Sequence, residues 1–269
     1  MISCPSCLSK KTEFAFNKKD FKFRKCLSCN LIFCSNIPRE NELQEYYLKD
    51  DFCSKERAKF IVNLENRYFL GKFRKYLGKK KEQKKILDFG CGRGVLMELL
   101  KAQGHHVEGV DFSKDNINAD RKKGLDVTRA MKKDAKNKYD VVIMKYVLEH
   151  LTRPLKTMKT IRNSMKNKGI IIIDIPNIDG KDFKKLGKEW LIIDPPYHLL
   201  FFNKNSIRVF LEKEGFEIIS IEDSKIPSYL FPFNTPFPIN VPFKAARLMI
   251  PRALLKGQGS NLQIVAEKK

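Results

Sequence analysis

The stretch that most constrains the fold is KKILDFGCGRGVLMELL, residues 84–100, in which a short apolar strand runs into a glycine turn and then a helix. Asp88 ends the strand, and Gly90, Gly92 and Gly94 allow a tight turn with room for a ligand that any Cβ would obstruct. The apolar residues after the turn recur at helical spacing and predict a helix that packs on a sheet, namely Val95, Leu96, Leu99 and Leu100. A ligand is therefore expected where the strand becomes the helix of an α/β domain.

The spacing of the glycines distinguishes between classes of ligand. A dinucleotide-binding turn has the pattern G-x-G-x-x-G, whereas Val95 occupies the third glycine position here and the loop contains G-x-G-x-G. This difference argues against a nicotinamide or flavin cofactor. A second acid, Asp111, ends the next predicted strand, HVEGVDFS, roughly 20 residues after the loop, a separation that suits the binding of ribose hydroxyls.

The loop and its two acids resemble those of class I S-adenosylmethionine-dependent methyltransferases. The resemblance implies a seven-stranded, Rossmann-like α/β sheet with helices on both faces. It also implies cofactor contacts at Asp88, Gly90, Cys91, Gly92, Gly94, Asp111 and Phe112. Many relatives have an acid after the third strand that binds the adenine amino group, but residues 128–131 are TRAM, so we expect backbone groups to bind the adenine. A structural glycine turn in another α/β domain is the alternative.

Residues 1–36 are predicted to form a separate zinc ribbon. Two C-x-x-C pairs have the spacing of a tetrahedral zinc site with four thiolate ligands, Cys4, Cys7, Cys26 and Cys29. Four thiolates leave no open position, so we expect a structural rather than a catalytic ion. Between the pairs, phenylalanines alternate with polar residues and predict two short strands. Cys34 lies beyond the second pair and is expected to be a buried thiol.

Residues 37–83 are predicted to form a helical linker. Apolar side chains recur there at spacings of three and four and would pack on the main domain; they are Phe60, Leu64, Tyr68, Phe69, Phe73 and Leu77. By resemblance, a helix before the glycine loop often covers the cofactor, and Tyr46 and Tyr47 are the candidates for that contact. Packing in the core is the alternative role of both tyrosines.

A second stretch, KYDVVIMKYVLEHLTRP at residues 138–154, contains candidate catalytic groups. Residues 139–144 predict a buried strand, and the VLEHL that follows resembles a segment after the fourth strand of many small-molecule methyltransferases. Open α/β sheets bind ligands at this end of a strand, so Glu149 and His150 are expected to face the transferred methyl group. Histidine accepts protons near neutral pH. Capping a helix or fixing a loop is the alternative role of His150.

The loop WLIIDPPYHLLFF at residues 190–202 contains a further candidate. It resembles a branch of the family in which a loop histidine lies over the acceptor pocket. On this basis His198 is the first candidate for the general base, and Trp190 and Tyr197 are expected to shape the acceptor site. A purely structural role is the alternative for His198.

Helix and strand signals complete the predicted alternation. A helix is expected after Ser113 as N-cap, another ends at Gly169, and a third runs from Ser206 to Gly215. Strands are predicted at residues 170–176 and 216–222, and the last residues form a strand that is antiparallel in this fold.

Residues 226–258 interrupt this alternation with prolines among aromatic residues. They are predicted to form an insertion over the acceptor site. Because apolar and basic residues are mixed in FKAARLMIPRALLKG, a surface that contacts a membrane or a lipid-linked acceptor is the alternative.

Composition excludes several classes of protein. No apolar run reaches the roughly 18 residues of a membrane span, and MISCPSCLSK lacks the apolar core of a signal peptide. We therefore expect a cytoplasmic protein, with peripheral attachment to the inner membrane face if the acceptor is lipid-linked. The formal charge of +22 favours anionic partners, but the lysines are scattered and no RNA-binding motif accompanies them.

These features predict a methyltransferase domain at residues 84–269, preceded by the ribbon and the linker. We expect transfer of a methyl group from S-adenosylmethionine to a small molecule or sugar, free or linked to a nucleotide or lipid. One alternative is an RNA methyltransferase that uses the ribbon and the positive charge, although KYVLEH stands where base-amine methyltransferases have an Asn-Pro-Pro-Tyr type of tetrapeptide. The other is a non-catalytic, cofactor-binding scaffold.

Overall fold

A computed structural model of the chain describes residues 2–39, 42–43, 46, 59–78, 82–132, 135–224 and 260–269. Two predictions lie outside these residues, namely the cofactor contact of Tyr47 and the insertion at residues 226–258. Along the described part of the chain, no helix combines the length and the apolar character that crossing a membrane requires.

The strands form two sheets. In chain order they are β1 (Thr12–Lys18), β2 (Phe21–Cys26), β3 (Ile32–Cys34), β4 (Lys85–Phe89), β5 (His106–Val110), β6 (Asp126–Thr128), β7 (Tyr139–Lys145), β8 (Met165–Pro176), β9 (Leu200–Phe201), β10 (Phe216–Asp223) and β11 (Asn261–Lys268). The larger sheet has the order β10-β11-β8-β7-β4-β5-β6, and the smaller has the order β1-β2-β3-β9. β11 is antiparallel to both of its neighbours, while β8, β7, β4, β5 and β6 are parallel. This confirms the predicted seven-stranded sheet.

The central strands are apolar on both faces because helices cover both sides of the sheet. In the register of the parallel strands, Ile86 of β4 lies opposite Val107 of β5 and Val141 of β7, and all three side chains are buried. Alternate residues of the same strands, such as Leu87 and Val142, belong to a second hydrophobic cluster on the other face. The carboxyl ends of the parallel strands therefore meet at one edge, where sheets of this kind bind ligands.

The helices are α1 (Lys59–Leu77), α2 (Val95–Ala102), α3 (Lys114–Lys122), α4 (Pro154–Ser164), α5 (Lys181–Leu186) and α6 (Lys204–Lys213). The apolar stripe predicted for the linker is present in α1, where Phe69, Phe73 and Leu77 are buried in the same cluster as Leu96 of α2. Ser113 is the N-cap of α3, as predicted, because its hydroxyl accepts a hydrogen bond from the Asn116 N–H.

Two predicted helix boundaries are wrong. α4 ends at Ser164 rather than Gly169 because Met165 adopts an extended conformation and pairs with Tyr139 of β7. α6 begins at Lys204 rather than Ser206 because Asn203 is the N-cap. The side chains of Asn203 and Ser206 each bind the other's backbone N–H, which forms a capping box.

The smaller sheet joins the N-terminal segment to the rest of the protein. β1 and β2 are the two strands predicted between the cysteine pairs. β3 pairs with β2 on one side and with β9 on the other, where Ile32 and Phe33 lie opposite Phe201 and Leu200. The sheet is thus not confined to residues 1–36, because its fourth strand comes from the segment that directly follows His198.

Candidate active site

The glycine loop between β4 and α2 has the open backbone that its sequence predicts. Gly90, Gly92 and Gly94 have φ values of 83°, 56° and 69°, a region that residues with side chains rarely adopt. A Cβ on Gly90 would lie 2.2 Å from Cγ2 of Val147, whereas a Cβ on Gly92 would meet no atom of the described residues within 4 Å. Gly90 is therefore needed for close packing, and Gly92 leaves open space for a ligand.

Asp111 lies beside this loop, directly after β5. Its Oδ2 accepts a hydrogen bond from the Gly92 N–H at 2.8 Å, and its Oδ1 accepts one from the Ser113 N–H at 2.9 Å. Nδ2 of Asn116 lies 3.4 Å from the same Oδ1. Burial raises the pKa of Asp111, and these donors oppose the rise. Since a carboxylate can accept about four hydrogen bonds, Asp111 can fix the glycine turn and still bind a ligand hydroxyl.

Asp88 is almost fully buried near the carboxyl end of β4. Its Oδ2 has no hydrogen-bond partner among the described residues. Burial raises the pKa of Asp88 to about 7, and the attraction of Lys145 only partly opposes this. An unpaired buried carboxylate oxygen is unfavourable unless a ligand satisfies it, so Asp88 fits a site that binds a polar cofactor.

Cys91 and Phe112 are the other predicted cofactor contacts in the described residues. The Cys91 N–H donates to the Val110 carbonyl oxygen at 3.1 Å, and its thiol is buried. This bond ties the glycine loop to β5. Phe112 follows Asp111 and is 54% exposed, so its side chain gives the loop an apolar neighbour on the surface.

Two histidines meet beyond the carboxyl end of β7. His150 ends the 3-10 turn Leu148–His150, and its ring centroid lies 4.6 Å from that of His198. Nδ1 of His150 is 2.8 Å from the Tyr197 carbonyl oxygen, and Nδ1 of His198 is 2.6 Å from the Ile192 carbonyl oxygen. Because a carbonyl oxygen can only accept, both Nδ1 atoms carry the proton and each Nε2 has a lone pair.

Burial determines the charge of these groups. It lowers the pKa of His150 to about 3, with a further contribution from His198, and lowers the pKa of His198 to about 4. Both rings are therefore neutral at pH 7. Glu149 is 1% exposed, and neither of its carboxylate oxygens has a hydrogen-bond partner in the described part of the chain. Burial raises the pKa of Glu149 to about 8.

Residues 190–199, here called the histidine loop, are held by two other parts of the chain. The Leu199 N–H donates to the Glu149 carbonyl oxygen, and the Leu199 carbonyl oxygen accepts from the Cys34 N–H, both at 2.8 Å. Trp190 and Tyr197 are buried. The Tyr197 hydroxyl donates to the carbonyl oxygen of Tyr46, which lines a cavity of about 640 Å³ between the ribbon and the segment after it.

The four cysteines of the two C-x-x-C pairs form one cluster. Their Sγ atoms all lie within 4.8 Å of one another, with Cys4 3.7 Å from Cys29 and Cys7 3.5 Å from Cys26. The hydrogen bond from Cys29 lowers the pKa of the Cys4 thiol to about 5. Four sulfur donors at this separation fit the predicted zinc ribbon. Cys34 is buried outside the cluster, as predicted.

Comparison with known proteins identifies the family. A family model described as "Methyltransferase domain" matches residues 62–221, more than half of the chain. This protein belongs to the class I S-adenosylmethionine-dependent methyltransferases. The open glycine loop, the unpaired oxygen of Asp88 and the position of Asp111 fit the cofactor of that class.

Two curated relatives of this methyltransferase have the name "Ubiquinone biosynthesis O-methyltransferase". The protein of Bradyrhizobium diazoefficiens is 29% identical over 155 residues, which are 55% of this chain and 55% of the relative. That of Aeromonas salmonicida is 28% identical over 121 residues, 40% of this chain and 51% of the relative. The chain thus spans about half the length of the curated relatives it matches.

Solved structures show the same fold. A methyltransferase of Archaeoglobus fulgidus has a TM-score of 0.55 and 24% identity, and the match covers 83% of this chain and 99% of that one. A methyltransferase of Mesorhizobium loti also has a TM-score of 0.55, with 15% identity, and the match covers 74% of this chain and 96% of that one.

In this methyltransferase the predicted site residues form two neighbouring groups. The first is the glycine loop with Asp88, Cys91, Asp111 and Phe112. The second is Glu149, His150 and His198, whose potential ligand atoms all lie within 4.8 Å of one another. Val147 connects the groups because it packs against Gly90. The roles assigned to these residues in cofactor binding and catalysis stay predictions.

Sequence reasoning missed the groups that orient the histidines. These are the carbonyl oxygens of Ile192 and Tyr197, which no side-chain pattern could indicate. It also missed Asn116, whose amide lies beside Asp111. Asn116 could have been found, since it lies in the first helical turn after an N-cap that the sequence does predict.

Proposed function

We propose that this methyltransferase transfers a methyl group to a hydroxyl of a small-molecule or sugar acceptor, which a nucleotide or lipid can carry. The observation that supports this proposal is the neutral histidine pair beside the glycine loop, in which the Nε2 lone pair of His198 can accept a proton. The relatives named as O-methyltransferases agree with an oxygen acceptor. Their low identity and partial coverage leave the acceptor itself to experiment.

Different residues of the chain would contribute to cofactor binding, exclusion of water and proton transfer in such a reaction. The cofactor supplies an electrophilic methyl group on sulfonium sulfur. Asp111 and the glycine loop would hold its nucleoside, and burial around His150 and His198 would exclude water from the reacting oxygen. Alignment of the two reactants in a site of this kind supplies much of the acceleration. His198 is the predicted general base, because its Nε2 can accept the hydroxyl proton.

The proposal is tested first by titration calorimetry with S-adenosylmethionine and its demethylated product. We expect binding to the full-length protein and a loss of about 10- to 100-fold in affinity in Asp111→Ala, because the variant loses the carboxylate that fixes Gly92 and that would bind the ribose hydroxyls. Asp179→Ala removes an exposed carboxylate and is the matched control. Absence of binding by the wild-type protein would favour the non-catalytic scaffold instead.

Acceptor screening with a methyl-labelled cofactor follows. In a productive pair, His198→Ala should lower kcat by about 100-fold or more if the histidine is the base, with cofactor affinity unchanged. Full activity of this variant would exclude the assignment. His106→Ala removes a histidine on β5, away from the site, and is the control.

A second candidate, methylation of RNA, is favoured by the formal charge of +22 and by the N-terminal cysteine cluster. Binding to immobilised RNA that persists at moderate salt would support it, since electrostatic binding alone weakens steeply with salt. Complete release at moderate salt supports the small acceptor.

We also propose that the cysteine cluster binds one structural Zn²⁺. Four thiolates fill a tetrahedral coordination sphere, so the ion would hold the ribbon without reacting. Metal analysis of the purified protein should find one zinc fewer per chain in the double variant Cys4→Ser and Cys29→Ser than in the wild type. An equal zinc content in the two proteins would refute the assignment.

A further inference from the structure

Glu149, His150 and His198 form a group that includes an unpaired buried carboxylate, which a general base alone would not require. Both oxygens of Glu149 are buried, and neither has a hydrogen-bond partner within the described ranges. Buried carboxylates are normally paired or bound to a metal. The ion pairs of the described residues do not include Glu149, and Lys145, four residues before it, lies 3.7 Å from Glu65 instead.

The two histidines are oriented as metal-binding histidines usually are. Each donates its Nδ1–H to a backbone carbonyl oxygen, His150 to Tyr197 and His198 to Ile192. A hydrogen bond of this kind fixes the tautomer and the ring orientation, and it leaves Nε2 as the ligand atom. Two backbone carbonyl groups of the histidine loop therefore orient both rings so that each can bind a metal ion through Nε2.

The three side chains also lie close enough to share one ion. One nitrogen of each ring, Nδ1 or Nε2, and one carboxylate oxygen of Glu149 lie within 4.8 Å of one another, and ligands about 2.1 Å from a metal lie up to about 4.2 Å apart. Small side-chain adjustments would close the difference. Two imidazole nitrogens and one carboxylate suit Zn²⁺, Mn²⁺ or Fe²⁺, whereas Mg²⁺ and Ca²⁺ prefer sites made of oxygen.

We propose that Glu149, His150 and His198 form a second metal site, separate from the cysteine cluster, that binds one divalent transition-metal ion. Three protein ligands leave coordination positions open, which is typical of catalytic rather than structural sites. The cysteine cluster, with four thiolates, leaves none. The described residues would thus provide one closed and one open set of metal ligands.

The open positions suggest a role in the methyl transfer, and this role, unlike the binding itself, rests on the proposed function. An acceptor hydroxyl bound to the ion would have a lowered pKa and would release its proton to bulk water as the acceptor binds. In this arrangement Nε2 of His198 is a metal ligand, and that role replaces the role of general base. The oxygen lone pair then forms the bond to the methyl carbon while the carbon–sulfur bond breaks and its electron pair stays on sulfur. The products are a methyl ether and the demethylated thioether cofactor.

The test uses Mn²⁺ as the probe and the full chain loaded with only one equivalent of zinc, which the four thiolates of the cysteine cluster bind more tightly than the second site does. Mn²⁺ binds thiolates poorly, so electron paramagnetic resonance counts ions at the second site only. We expect one Mn²⁺ per chain, with affinity reduced about tenfold or more in Glu149→Gln and in His198→Gln. His106→Gln, which changes a histidine outside the cluster, should bind Mn²⁺ as the wild type does.

A measurement on the unmodified protein covers the case in which these variants do not fold. Pulsed electron paramagnetic resonance of bound Mn²⁺ should detect coupling to two imidazole nitrogens. No saturable Mn²⁺ binding, or binding without nitrogen coupling, would overturn the site. Binding of S-adenosylmethionine is measured in the same samples, so that loss of the metal site and loss of the proposed function are read separately.

Discussion

The glycine loop and the histidine loop are positioned in opposite ways. The glycine loop is held within the large sheet, because its contacts to Val110, Asp111 and Val147 come from the ends of β5 and β7 or the residues just after them, and these strands flank β4. The histidine loop depends on distant parts of the chain, with Leu199 held between Glu149 on one side and Cys34 of the ribbon on the other. Cofactor binding should therefore be independent of the ribbon, whereas the acceptor side should not.

Loss of the cysteine cluster should have the largest effect, and it should change the histidine loop but not the glycine loop. In the double variant Cys26→Ser and Cys29→Ser, the ribbon would lose the proposed zinc, whose binding contributes about 10–16 kcal/mol in small zinc domains, so we expect the ribbon to unfold. The only tryptophan, Trp190, is 4% exposed in the histidine loop, and its fluorescence should shift to the red. The affinity for S-adenosylmethionine, measured by calorimetry, should stay within about threefold.

Cys34→Ala is the control for that experiment, because Cys34 is a ribbon cysteine outside the cluster. It should retain zinc and the wild-type tryptophan emission. Unchanged Trp190 emission after loss of zinc would contradict this prediction, since it would show that the histidine loop keeps its structure without the ribbon.

Gly90→Ala should affect the glycine loop alone. The new Cβ would meet Val147 at 2.2 Å and the backbone φ is 83°, so overpacking and left-handed strain together cost about 2–5 kcal/mol in the free energy of unfolding. Urea denaturation measures this loss. Gly124→Ala has a similar φ of 75° with no atom of the described residues within 4 Å of the new Cβ, and it should lose only about 1–2 kcal/mol. Equal losses would mean that Val147 moves aside.

A pH series on Asp88→Asn examines the buried carboxylate of the predicted cofactor site. Burial raises the pKa of Asp88 to about 7 in the folded protein, whereas the pKa in the unfolded chain is near 4. The contribution of Asp88 to stability is therefore fully present below pH 4 and is lost as the pH rises through 7, because the unfolded chain ionises first. Without cofactor, the variant should therefore melt several degrees above the wild type at pH 8 and equally at pH 4. Asp179→Asn, an exposed carboxylate, should show no such difference.

The smallest effect is expected for Lys19→Ala. Lys19 Nζ lies 2.9 Å from Oδ1 of Asp194 and joins the ribbon to the histidine loop, but the two side chains are 58% and 37% exposed. An exposed ion pair contributes at most about 0.5–1 kcal/mol. Urea denaturation and Trp190 emission should scarcely change. A large shift in either would show that the surface pair, and not β3, positions the loop.

The difference between the two loops also explains which parts of the candidate site can be predicted from the sequence. Asp88, the three glycines and Asp111 are recognisable because a strand, a turn and a helix follow one another within a few residues. His150 and His198 are also identifiable as candidates. Their juxtaposition is not, because it depends on the carbonyl oxygens of Tyr197 and Ile192 and on the pairing of β3 with β9, and non-local backbone contacts leave no side-chain pattern.

The boundary errors have a similar origin. The helical pattern of residues 155–169 continues past Ser164 in composition, yet Met165 pairs with Tyr139 of β7 because strand pairing outweighs local helix propensity. At α6, Asn203 and Ser206 are both good caps, and only the mutual hydrogen bonds of the capping box show that the helix begins after the first of them.

The shared four-stranded sheet has a consequence for the autonomy of the methyltransferase domain. A chain that began after the ribbon would leave β9 as an open edge, with unpaired backbone groups at Leu200 and Phe201. It would also uncover the Phe201 side chain, which packs 5.7 Å from the ring of Phe23 and is fully buried. Exposed apolar strand edges recruit other chains and promote aggregation. We therefore expect the ribbon to limit aggregation of the methyltransferase domain by covering this edge.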